Sequence, residues 1–177
     1  DEIGNAKYVI QTNGILFDNL DVDYWLKFNT ILLSIDGRRS VTDYYRGEGV
    51  YDKVIYVAKR LRDNGFRGDL IARMTVSEFS DIYLDVLHLV KLNLFDHIHW
   101  QLDVVWSDRW IDFDGWLQNN YLPGISRLVK LWFNEALNGN VLGLVPFLGI
   151  LKVMITNGWI TAPPCGAGVS SISISTD

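Results

Sequence analysis

Residues 70–105 read LIARMTVSEFSDIYLDVLHLVKLNLFDHIHWQLDVV. The first seven, 70–76, are rich in apolar and β-branched types and predict a strand. Residues 81–92 then place Ile82, Val86 and Leu89 at helical spacing. Residues 97–105 return to a strand, in which polar and apolar side chains alternate. A strand, a helix and a strand at this spacing make a right-handed βαβ unit whose two strands run parallel.

The unit repeats upstream. Residues 8–12 predict a strand closed by the turn pair Asn13-Gly14, and 21–28 a short helix with Asp21 available as its cap. Residues 30–36 (TILLSID) predict a second strand, ending at Gly37. In 50–64, Val50, Val54, Val57, Ala58 and Leu61 recur on one helical face, and Gly65 follows as a stop. Downstream, 125–137 predict another helix, stopped by Asn138-Gly139. The expected fold class is therefore α/β, with four βα units around a parallel sheet. No low-complexity linker interrupts the series, so 1–140 are expected to form one body. Residues 141–177 are expected to hold its last element and the start of an extension. Four units are too few to close a barrel of ~8 strands. Either the sheet is open and doubly wound, or it is part of a larger barrel.

Composition narrows the function classes. The 177 residues carry a formal net charge of −5 and are 49% hydrophobic, which fits a globular domain with a sizeable core. No basic stripe is present, so a nucleic-acid partner is not expected. Residues 141–160 are apolar but include Lys152, Pro146, Asn157 and three glycines. That is poor for a membrane span of ~20 residues; buried strand and helix are expected there, and no membrane partner. No basic n-region introduces a leader peptide, and a cytoplasmic location is expected. The single cysteine, Cys165, can close neither an internal disulfide nor a four-cysteine metal site.

The strand faces hold the strongest functional signal. In 97–105 one face carries His97, His99, Gln101 and Asp103, and the other Ile98, Trp100, Leu102 and Val104. Arg73 and Thr75 share a face in the third strand, Ser34 and Asp36 in the second, and Gln11 and Asn13 in the first. Charged groups are costly to bury without partners, so four polar faces in step predict a wet or ligand-filled cavity. The C-terminal ends of parallel strands are where α/β folds place such sites. The His97-x-His99 pair has a spacing that metals use, but no third ligand accompanies it. No phosphate loop, nucleophile elbow or dinucleotide fingerprint is present.

Several stretches, in order, resemble a known family. Gln11-Thr12-Asn13-Gly14, Ser34-Ile35-Asp36-Gly37 and Asp43-Tyr44-Tyr45-Arg46-Gly47 look like the middle of a radical S-adenosylmethionine (SAM) barrel. The likeness is to its peptide- and protein-modifying branch, which includes the anaerobic sulfatase-maturating enzymes. The stretches 71–78 (IARMTVSE), 99–103 (HWQLD) and 163–168 (PPCGAG) resemble peptide-modifying members of the same family. The resemblance implies a partial (βα)6 TIM-like barrel, with the four strands here as its third to sixth. It implies reductive cleavage of SAM to a 5′-deoxyadenosyl radical that acts on a peptide or protein, with flavodoxin or ferredoxin as electron donor. It assigns Ser34 and Arg46, twelve positions apart, to contacts with SAM, and Leu102 to a backbone contact with the adenosyl part. Asn13 and Arg73 fall at further cofactor positions, and Gln11, Asp36, His99, Gln101 and Asp103 at cavity or substrate positions. Cys165 resembles the first cysteine of an extension that binds auxiliary iron–sulfur clusters. The family's three-cysteine loop for the 4Fe–4S cluster and its Gly-Gly-Glu motif are not among these residues. The chain is therefore expected to be a fragment, inactive alone. Two readings from other classes stand beside this one: a hydrolase or lyase using Asp103 and His99 as acid and base, and a non-catalytic small-ligand domain.

Overall fold

A computed structural model describes residues 6–104 and 110–156. Two compact units divide the chain, 1–145 and 146–177. The first holds a parallel sheet of β1 (Val9–Thr12), β2 (Thr30–Ser34), β3 (Asp69–Val76) and β4 (His97–Leu102) in the order β1-β2-β3-β4. Between β1 and β2 lies the short α1 (Val22–Trp25). The β2–β3 connection carries α2 (Arg39–Arg46) and α3 (Val50–Asp63), and β3 and β4 are joined by α4 (Ile82–Leu92). After β4 come α5 (Phe113–Trp116), a π-helical stretch (Leu117–Tyr121) and α6 (Leu122–Leu137).

Strand order decides between the two architectures that the sequence leaves open. A doubly wound sheet reverses direction and takes helices on both faces. Here the strands advance one place at a time, so right-handed crossovers return every helix to the same side. Burial agrees. Ile31, Leu33, Leu70, Ala72, Met74 and Val76 are fully covered on one face, while their neighbours on the other, Ser34 apart, are only partly covered. The winding is that of a barrel wall. Leu144 makes a parallel bridge to Ile98, and the Ile98 amide donates to the Gly143 carbonyl, so the chain returns to the sheet beside β4.

The covering helices form for the reasons their periodicity gives. On α3, Val54, Val57, Ala58 and Leu61 are fully buried, each large side chain contributing about 1.5–3 kcal/mol. Asp81 caps α4 by accepting the Leu84 amide at 2.9 Å. Asn93 ends it in the left-handed region.

Several expectations change. The first helix spans only Val22–Trp25, not 21–28, and β4 ends at Leu102 rather than 105. The last helix of the first unit begins at Leu122, three residues early, with Pro123 in its first turn. Helix α2 was not anticipated, because it is only eight residues long, mostly polar, and buries only Val41 and Thr42. Further on, α7 (Val145–Thr156) is a helix. Ile150, Met154 and Ile155 on it are exposed rather than buried. Among the described residues no helix is long and apolar enough to cross a membrane.

Candidate functional site

Register brings the polar face together. Ser34 lies opposite Arg73 across β2 and β3, and Arg73 opposite His99 across β3 and β4. One step on, Thr75 faces Gln101. Ser34, Arg73 and His99 thus form one row, with Thr75 and Gln101 directly above it toward the C-terminal edge. Gln11 sits opposite Leu32 on the same face, lower on the edge strand, and is exposed. Asn13 is exposed, and its side-chain oxygen accepts the Ile15 amide, an Asx turn that closes the strand.

Asp36 is the anchor of this edge. Its side chain is 2% exposed, and it is not an open cavity carboxylate. Its two oxygens accept Nε and Nη2 of Arg46, both at 2.7 Å, and Oδ1 also accepts the Thr75 amide at 2.8 Å. The Asp36 amide in turn donates to the Thr42 hydroxyl. A single buried carboxylate therefore joins the end of β2, helix α2 and strand β3. Gly37 makes this turn with φ of +108°, and a Cβ there would lie 2.3 Å from the Asp85 side chain. Asp85, fully buried on α4, takes the Arg38 amide at 3.0 Å, the Arg38 Nε at 2.7 Å and the Asp81 amide at 2.8 Å.

Arg46 and Arg73, neighbours at this edge, are partnered differently. Arg46 is neutralised by Asp36. Arg73 donates to the Gln101 side-chain oxygen and to the Met74 carbonyl, and among the described residues no carboxylate pairs with it. Burial, and after it the charge of Arg46, pulls the Arg73 guanidinium below its usual value. Burial first and then Arg73 hold the His99 imidazole below its ordinary value, so it is neutral at pH 7.

Beside this row a cleft of about 360 Å³ opens beyond the ends of β3 and β4, lined by Tyr44, Tyr45, Ser77, Glu78, Phe79, Asp103, Trp110 and Ile111. Asp103 faces it and accepts the Ser77 hydroxyl at 3.1 Å. Leu102 is half-buried on the helix-side face, paired with Val76, so only its backbone is available to the open side. His97 binds Asp69 at 2.7 Å, and among the described residues no group of His, Cys, Asp and Glu could hold a metal ion. Cys165 lies outside the described residues. Sequence reading missed the aromatic wall of Tyr44, Phe79 and Trp110. Its only trace was the Tyr44-Tyr45 pair, because nothing in a local pattern shows that aromatics from α2 and from two loops will meet at one cleft.

No family model matches the chain, and no curated protein matches it significantly. Solved structures do. A polyhistidine-tagged form of anSMEcpe with bound AdoMet, an anaerobic sulfatase-maturating enzyme, superposes with a TM-score of 0.69 at 18% identity over 88% of this chain. Native anSMEcpe with bound AdoMet, and the same protein with AdoMet and the Cp18Cys peptide, each give 0.68 at 18% identity. The chain has a radical SAM-like fold. It spans 44–45% of the length of those structures.

Proposed function

We propose that this chain is the SAM-binding part of a radical SAM enzyme that modifies a peptide or protein. The observation that carries the reading is the strand-end face, where Ser34, Arg73 and His99 stand in one row and Asp36 holds Arg46 beside it. It lies on a fold shared with structures that hold AdoMet, two of which also hold a peptide. In this reading β1–β4 are the third to sixth strands of a partial (βα)6 barrel.

The residues present fit SAM. Its methionyl end carries a carboxylate, and the face offers a near-buried hydroxyl at Ser34 with the guanidiniums of Arg73 and of the Asp36-paired Arg46 beside it. Arg46 keeps its Nη1 hydrogens for a ligand while Asp36 fixes the plane of the group. The Leu102 backbone is at hand for the adenosyl part, with Asn13 at the far edge. When bound and cleaved, SAM supplies a 5′-deoxyadenosyl radical that takes hydrogen from the substrate. Gln101, Asp103 and the aromatic cleft border the space left for that substrate, and neutral His99 and Gln101 offer hydrogen bonds without further charge. The described residues do not fit an iron–sulfur cluster. In the proposed enzyme the cluster is held by residues other than these, and a separate partner, flavodoxin or ferredoxin, donates the electron. Asp103 commits a carboxylate oxygen to Ser77, not to His99, which gives the acid–base reading no assembled pair.

Equilibrium titration with SAM tests the proposal. Arg46→Ala should weaken binding by about 1.5–3 kcal/mol, or about ten- to a hundredfold, and Ser34→Trp should fill the face and abolish it. Unchanged affinity in both variants contradicts the reading.

A further inference from the structure

We infer that Arg73 is a carboxylate receptor at the strand ends, held in place by Gln101 and distinct in role from Arg46. The inference rests on the SAM-binding reading only for the identity of one of its two candidate ligands. The two arginines look alike in sequence but are placed differently. Arg46 has its counter-ion built in, because Nε and Nη2 are taken by a carboxylate that is itself buried. With that charge cancelled, Arg73 is the cation of the row that runs from Ser34 to His99. Its contacts are neutral ones, to an amide oxygen and a main-chain carbonyl. They fix the direction of the guanidinium without cancelling its charge.

Position strengthens the case. Arg73 is the middle residue of the row, between Ser34 and His99, on the face that the helices leave open. A half-buried cation with no carboxylate partner is unfavourable by itself, and burial, followed by a smaller effect of the Asp36-paired Arg46, pulls its proton affinity down. An anion in the space above the row would relieve both effects. A planar carboxylate suits a guanidinium held by side contacts, since it can take two N–H groups at once. The surrounding groups reinforce the preference: a neutral His99, Gln101 and the Ser34 hydroxyl can each donate a hydrogen bond to an anion. The carboxylate has two chemical sources, the methionyl end of SAM or an acidic side chain of the peptide substrate.

The test uses the chain with four probes: SAM, decarboxylated SAM, a short peptide with one Glu, and its Gln twin. Arg73→Met and Arg73→Lys are compared with wild type, with thermal unfolding to show that each variant is folded. If the carboxylate is that of SAM, Arg73→Met loses about tenfold or more in SAM affinity and none toward decarboxylated SAM. If it is that of the substrate, the adenosyl ligands are unaffected and the Glu peptide falls to the affinity of the Gln peptide. Arg73→Lys should restore part of either loss, because an ammonium keeps the charge but not the fork. Affinities within about twofold of wild type for all four probes overturn the inference, as does an equal loss toward all four. A wild-type chain that binds no SAM but prefers the Glu peptide through Arg73 would end the SAM reading and leave the receptor standing.

Discussion

Asp36 shows how one side chain sets the geometry of a site while touching no ligand. It is buried with both oxygens engaged, and three segments meet on it. Removing one partner of such a pair leaves an uncompensated buried charge or a cut network, at about 3–5 kcal/mol. Asp36→Ala should therefore lower the urea midpoint by a large share of a typical domain stability of about 5–15 kcal/mol; a loss near zero contradicts the anchoring role. Sequence placed Ser34 and Asp36 on a shared face correctly as far as alternation goes. It did not show that Asp36 turns inward, because its partner Arg46 comes from a short, mostly polar helix that the sequence reading did not identify. Titration gives a second prediction at this scale. Burial lowers the proton affinity of both His88 and His99 in the fold. Below the unfolded value of about 6.5 the unfolded chain then binds more protons than the folded one, and stability falls as pH drops. Urea midpoints should decrease from about pH 7 to about 5.5, and the His88→Gln, His99→Gln double variant should flatten that slope; an identical slope in the variant contradicts it.

Among the elements, the turn from β2 into α2 carries the most consequence, since it delivers both Arg46 and the Tyr44–Tyr45 wall of the cleft. Gly37 is required there twice over, by its positive φ and by the Asp85 side chain 2.3 Å from where a Cβ would stand. Gly49, with φ of +81°, has nothing within 4 Å of its own Cβ position. Gly37→Ala should thus cost the overpacking penalty of about 1–3 kcal/mol beyond any backbone strain, whereas Gly49→Ala bears strain alone. Thermal unfolding of the two variants separates the causes, and equal losses would contradict the packing argument. The strand expected over 30–36 ends at Ser34, short of Gly37, whereas α3 and α4 were legible from their apolar spacing. Asp85 was not, because a charged residue on the core side of α4 breaks the pattern that identifies the helix. Its reason is the pair of backbone amides and the distant Arg38 that it meets.

At the scale of the whole molecule, the sequence supplied the α/β class and the alternation that turns polar residues to one side. Periodicity alone left strand order open, since local patterns do not say which strands are neighbours; only the family resemblance implied a sequential order. The observed order, together with the one covered face, makes the sheet a section of barrel wall and puts Ser34, Arg46, Arg73, His99 and Gln101 at one end of it. The opposite end is different in kind: a nearly apolar hollow of about 410 Å³ lined by Tyr8, Leu20, Tyr24, Lys27 and Phe28. The two ends make opposing demands on a ligand, and only the first suits a zwitterionic sulfonium. Hydrogen exchange of the chain with and without SAM tests this most directly. Binding at the strand ends predicts slowed exchange at residues 34–46, 73–77 and 101–103, at the C-terminal ends of the strands and in α2. Exchange unchanged by saturating SAM, or slowed only at residues 8–28, would contradict it.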